Sequence, residues 1–214
     1  MRLKEKITII TGAASGFGKG IAKKFSEEGA KLILADINKD LLEKVSKDLN
    51  QDFFHTDVAS SSSMQQLSDY VLKKYGTIDI MVNNAGITHL PKPLEEVSEE
   101  EFDKVFAVNS KSVFLCGKFF VPHMKKQKKG SILNISSTAG ISPRPNLNWY
   151  NATKGWMITA TKAMAVELAP YNVRVNSLAP VAGETPLLKS FLGEDTQERR
   201  QAFLSTIPIG RFST

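Results

Sequence analysis

Cysteine is nearly absent from this chain: Cys116 is the single one in 214 residues. No internal disulfide can form, and its apolar, helix-like surroundings predict a buried thiol. There is no zinc-finger spacing, and no metal is expected. Long hydrophobic runs are missing too, none reaching the roughly 18 apolar residues that a membrane span needs. The N-terminal MRLKEK leads straight into a strand-like ITII, too short for the core of a signal peptide. A soluble, cytoplasmic protein without membrane contact is the expectation. A net charge of +6 and a pI near 9.3 raise the question of an anionic partner. The lysines, however, are scattered through helical segments among acids, with no nucleic-acid-binding pattern, so they read as solvated helix faces.

What is present is a regular alternation. Lys6 to Thr11 reads as a buried strand, and Ile21, Ala22 and Phe25 fall at helical spacing before Gly29. Lys31–Asp36 is a second strand, Asn38 to Leu49 a helix, Asp52 to Asp57 a third strand and Ser61 to Tyr75 a helix. A fourth strand, IDIMVNN, ends in Asn83-Asn84-Ala85-Gly86. One long helical stretch, Ser98 to Gln127, opens on a capping box between Ser98 and Glu101, and Pro122 is expected to kink or end it. A fifth strand (Gly130 to Ser136), a helix carrying Tyr150 to about Pro170, and a sixth strand, VRVNSLAP, follow. Near-continuous apolar strands alternating with helices specify an α/β fold. The expectation is one domain over residues 1–214, a doubly wound parallel sheet of the Rossmann type.

Ligands of such sheets bind beyond the carboxyl ends of the strands. The first strand runs into Gly12-Ala-Ala-Ser15-Gly16-Phe17-Gly18, a turn whose glycines let backbone approach a pyrophosphate at a helix N-terminus. Asp36 closes the second strand, placed to accept hydrogen bonds from adenosine ribose hydroxyls. Tyr150 and Lys154, four apart, share one helix face. A tyrosine alone, with a pKa of about 10, is a weak proton-transfer group near neutrality, and an ammonium nearby is expected to lower it. Ser137, after the fifth strand, offers a hydroxyl to a substrate oxygen.

These residues resemble the short-chain dehydrogenase/reductase family. Thr11-Gly12-x-x-x-Gly16-x-Gly18 is similar to its cofactor turn, Asn83-Asn84-Ala85-Gly86 to its NNAG signature, and Tyr150-x-x-x-Lys154 to its catalytic pair, with Ser137 and Asn109 at its serine and helix asparagine. The resemblance covers essentially the whole chain and includes members such as ketoacyl reductases and glucose dehydrogenases. It implies hydride transfer between a nicotinamide cofactor and an alcohol or ketone. Tyr150 would be general acid–base and Ser137 would orient the reacting oxygen. Lys154 would hold the nicotinamide ribose and lower the tyrosine pKa, and Asn109 would support a water leading protons to Lys154. Asp57 and Val58 would contact the adenine and Thr185 the carboxamide, with Ser15, Phe17, Asn84, Ala85, Gly86 and Pro180 completing the cofactor site. Pro180-Val181 stands where the family often has Pro-Gly.

Asp36 would repel a 2′-phosphate, and Ser15 stands where NADP-preferring members often carry a basic residue, so NAD is expected over NADP. Lys39 nearby could tolerate a phosphate, though it reads equally as a solvated helix position. A segment over residues 185–210, with Leu187, Leu188, Phe191, Phe203 and Leu204, is expected to form a lid. His89, Arg144, Asn146 and Trp149 are candidates for the substrate pocket. Lys125 to Lys129 reads as a solvated helix end or as a docking site for an acyl carrier protein, which makes 3-oxoacyl-[acyl-carrier-protein] reductase the alternative within the class. A non-catalytic NAD-binding regulator or inactive paralogue is the alternative outside it. Family members continue past the position of Thr214 with a further helix and strand used in tetramer packing. The chain is thus expected to lack those elements, with homo-oligomer formation assigned to the longer form.

Overall fold

The computed structural model describes residues 1–213. Six parallel strands form one sheet in the order β3-β2-β1-β4-β5-β6: β1 (Ile7–Thr11), β2 (Lys31–Asp36), β3 (Asp52–His55), β4 (Ile80–Asn83), β5 (Gly130–Ile135) and β6 (Val173–Leu178). The chain works outward from β1 to β3, then returns to pair β4 against the other side of β1, with Ile9 opposite both Ile33 and Met81. That reversal opens a crevice at the carboxyl ends of β1 and β4.

The helices cover the two faces unequally. α1 (Gly16–Glu27) and α2 (Lys39–Leu49) bury Ala22, Leu42 and Val45 against Ile10, Leu32 and Leu34. On the opposite face, α3 (Ser61–Tyr75), α5 (Ser112–Lys126) and α6 (Asn148–Leu168) pack Leu67, Phe120 and Leu168 onto Ile9, Met81 and Val175. Asn38 caps α2 and Ser60 caps α3 through side-chain oxygens, and α4 (Glu99–Phe106) starts on the expected Ser98–Glu101 capping box.

The long helix breaks elsewhere than at its proline. Between α4 and α5 lies a π-helical turn, Ala107–Lys111, while Pro122 sits inside α5 without ending it. A proline removes one helical N–H bond and crowds the carbonyl four residues back, yet α5 runs on to Lys126. Beyond β6, two short helices, α7 (Leu188–Leu192) and α8 (Gln197–Leu204), build a small core of their own from Ala182, Leu188, Leu192, Ile207 and Phe212. A parallel bridge between Gly183 and Ser213 ties its two ends together.

Candidate active site

The turn after β1 is shaped by close backbone approach. Gly12 has φ +65, and a Cβ there would meet Asn84 Nδ2 at 2.8 Å; at Gly18 it would meet the Gly12 carbonyl oxygen at 2.0 Å. Neither position accepts a side chain. Thr11 fastens this turn to β4: its hydroxyl donates to the Val82 carbonyl and accepts from the N–H groups of Asn84 and Ala85. The Asn84 amide donates to the carbonyls of Thr11 and Gly12. Asn84 therefore acts as a staple under the turn, and Thr11, the first residue of the glycine motif, is the hydroxyl that fastens it.

A groove of about 480 Å³ runs along the carboxyl rim, within the usual size range of ligand pockets. At one end lie Ser15, Gly16 and Phe17 with Asp36, Asp57 and Val58; in the middle come Asn84, Ala85 and Gly86; at the far end stand Ser137, Tyr150 and Lys154. Pro180 and Thr185 close over it, the Thr185 side chain 3.2 Å from where a Cβ on Gly16 would lie. Gly18 and Asn109, by contrast, do not line the groove. Gly18 is packed beneath the turn, and Asn109 is fully buried behind Gly86.

Asp36 is oriented by its neighbours: one carboxylate oxygen accepts the Ala14 N–H at 3.0 Å and the other the Asn38 N–H at 2.9 Å. Asp57 accepts the Ala59 N–H at 2.9 Å. The Asn109 amide donates to the Ile87 carbonyl and the Thr153 hydroxyl and accepts the Ile87 N–H. It thereby bolts the π turn to the loop after β4 and to α6.

Tyr150 and Lys154 are each only 4% exposed. The Lys154 ammonium donates to the Ile135 carbonyl at 3.0 Å and lies 5.8 Å from the Tyr150 ring centre. The expected lowering of the phenol is absent in the chain alone. Burial pushes Tyr150 up to about 12, and the neighbouring Ser137 hydroxyl, rather than Lys154, pulls it the other way. Burial also brings Lys154 down to about 8. Desolvation outweighs mutual attraction because the ammonium is directed at a carbonyl on the sheet. Ser137 accepts the Ala139 N–H at 3.1 Å, which leaves its own proton free for another acceptor. A Cβ on Gly140 would come within 2.6 Å of the Lys154 carbonyl carbon, so the loop after β5 can press directly onto α6.

The four candidate pocket residues do not line the groove. His89 is buried with Nδ1 2.8 Å from the Leu90 carbonyl, Arg144 lies over the Phe203 ring, Trp149 meets Phe102 edge-on, and Asn146 accepts the Lys92 N–H through its carbonyl. Their places are taken by Ile87, Lys104, Val108, Leu187 and Phe191. Phe191 also meets the Tyr150 ring at 5.2 Å.

The sequence matches the family model described as short chain dehydrogenase over residues 6–195. The chain belongs to the short-chain dehydrogenase family. Among similar members is the 4-formylbenzenesulfonate dehydrogenase of Comamonas testosteroni, 40% identical across 100% of this chain and 87% of that protein. The 3-oxoacyl-[acyl-carrier-protein] reductase of Thermotoga maritima is 41% identical across 99% of this chain and 86% of that one. The crystal structure of a 3-ketoacyl-(acyl-carrier-protein) reductase from Brucella melitensis complexed with NADH superposes with a TM-score of 0.92 at 42% identity. It covers 98% of this chain and 86% of its own. As a short-chain dehydrogenase the chain is an oxidoreductase. Among its described residues no helix is long and apolar enough to cross a membrane, and no group of three or more His, Cys, Asp or Glu could hold a metal ion.

Proposed function

We propose that this short-chain dehydrogenase transfers a hydride between NAD(H) and an alcohol or carbonyl compound, with Tyr150 as general acid–base. The observation that carries the reading is the convergence of Ser137, Tyr150 and Lys154 on the same groove as the glycine turn and Asp36. A turn that rejects a Cβ at Gly12 and Gly18 fits a closely approaching pyrophosphate, and Asp36 fits free ribose hydroxyls while repelling a 2′-phosphate. A bound nicotinamide supplies the hydride acceptor or donor.

The chain's own groups do the rest. With its pKa raised to about 12, Tyr150 holds its proton at neutral pH and is ready to give it to a carbonyl oxygen being reduced. Ser137 donates its free hydroxyl proton to the same oxygen. Lys154 spends one N–H on Ile135 and keeps two for a ribose hydroxyl, while Asn109 positions the loop and helix around it. The segment 185–210, packed on itself and reaching Tyr150 through Phe191, serves as the lid.

The names of two relatives favour a second reading, reduction of 3-oxoacyl groups carried on an acyl carrier protein. Docking through Lys125 to Lys129 is not part of it. Those lysines end α5 at the start of β5, the rim opposite the groove, and Lys125 and Lys129 are paired with Glu167 and Asp79.

The test is absorbance of NADH mixed with protein and a panel of ketones and aldehydes. Turnover that Tyr150→Phe lowers by about 10²–10⁴-fold is expected. NADH binding with no turnover would favour a non-catalytic NAD-binding role, and tighter binding of NADPH than NADH would overturn the cofactor assignment.

A further inference from the structure

The groove is electrically lopsided. Among its described lining residues the carboxylates are Asp36 and Asp57, both at the end beyond β2 and β3. Past Tyr150 the wall is apolar, formed by Ile87, Val108, Leu187 and Phe191, and it carries one solvent-exposed cation, Lys104. Lys104 sits in α4 one turn before Val108, and residues four apart lie on one helix face. Among the described residues Lys104 makes no ion pair. The acids at helical spacing behind it are Glu100 and Glu101, and Glu101 is held by Lys92 at 2.9 Å and by the Ser98 N–H at 3.0 Å. The other cation of the site, Lys154, is buried and bonded to Ile135.

We propose that Lys104 reads the far end of the substrate: the carbonyl compound turned over at Tyr150 carries an oxyanion, a carboxylate or sulfonate, on an apolar spacer. The inference rests on the oxidoreductase reading and adds the substrate class. Apolar walls select the body of the molecule, and an ammonium with no internal partner selects its charged end. A charge-assisted hydrogen bond at a partly solvated site is worth about tenfold in affinity.

The experiment compares NADH-dependent reduction of 4-formylbenzoate with that of its methyl ester. The acid is expected to have the higher kcat/KM. Lys104→Met, which keeps the apolar stem, is expected to lower the acid-to-ester ratio of kcat/KM about tenfold through KM; Lys104→Arg is expected to retain it. High ionic strength is expected to shrink the wild-type preference. In parallel, calorimetry measures terephthalate binding to the NADH-loaded protein, with about tenfold weaker binding expected in Lys104→Met. Equal ratios and equal terephthalate affinities in wild type and Lys104→Met overturn the proposal even where both aldehydes are reduced. Terephthalate affinity that depends on Lys104 without turnover of either aldehyde keeps the oxyanion site and counts against the oxidoreductase reading instead.

Discussion

Lys154 keeps its ammonium in the core at a cost to stability. Its pKa falls from 10.5 to about 8 because burial disfavours the charged form. The folded chain therefore holds this proton less tightly than the unfolded chain. The penalty is complete below about pH 8 and fades as pH rises from about 8 toward 10.5; a shift of that size is on the order of 3 kcal/mol. Lys154→Met removes the penalty but leaves the Ile135 carbonyl without its donor, which returns about 1 kcal/mol. The net gain of about 2 kcal/mol is thus expected to raise the melting temperature by about 4–8 °C near neutral pH. The gain should shrink as pH approaches that of the unfolded lysine, and NADH-dependent turnover should be lost. Thermal melts across pH check this, and a lower melting temperature at neutrality would contradict it. Tyr150 has the opposite sign: its raised pKa adds stability that is fully present below about pH 10 and lost as pH rises toward 12. The pair itself was legible in the sequence, because a spacing of four fixes a shared helix face. The direction of the tyrosine shift was not, since desolvation depends on how deeply Phe191 of α7 and Val105 of α4 bury the ring, and spacing carries no burial.

At the scale of elements, the break in the long helix carries the most information. The proline signal pointed to Pro122, yet the chain departs from α geometry at Ala107–Lys111, around Asn109. A π turn inserts one residue into the ladder, and here that residue register lets the Asn109 amide reach both backbone groups of Ile87 and the Thr153 hydroxyl. Nothing local in Ala-Val-Asn-Ser-Lys announces this, because the partners lie 22 and 44 positions away. Asn109→Ala would leave the part-buried Ile87 N–H and carbonyl without their amide partner, at about 1–2 kcal/mol for each group, within the range for an unsatisfied polar group. We expect a loss of about 2–4 kcal/mol by denaturant titration. Asn109→Asp should recover only part of it, since a carboxylate accepts from the N–H but cannot donate to the carbonyl. Full stability in Asn109→Ala would show that the π turn stands without its amide. The strands, in contrast, are legible to within two residues at either end, and β2 with no difference at all, because continuous apolar runs such as KITIIT and KLILAD have one physical use, burial on both faces of a parallel sheet.

The whole molecule buries its two sheet faces unequally and leaves one aromatic face open. On β6 only Val173 and Val175 are buried, while Arg174, Asn176 and Leu178 face solvent, so the edge strand is covered on one side. Across α4 and α6 the rings of Trp149, Phe102, Phe106 and Trp156 form a continuous ladder, with Phe102 and Phe106 stacked at 6.2 Å and Phe106 meeting Trp156 edge-on at 6.4 Å. Phe106 is 42% exposed and Trp156 38%. A run of large rings this exposed is more than the scattered apolar residues an isolated surface normally shows, and such patches mark contact between chains. A second copy of this chain is the occupant we propose for this face, on the ring exposure alone, and Phe106 stands at its centre. We expect the wild type to sediment as a dimer or larger at micromolar concentration. Phe106→Glu is expected to sediment as a monomer with an unaltered far-ultraviolet circular dichroism spectrum, because the charge replaces ring contacts at a surface that tolerates it in the single chain. A wild type that is monomeric at those concentrations, or a Phe106→Glu variant that keeps the oligomer mass, would place the contact elsewhere or remove it.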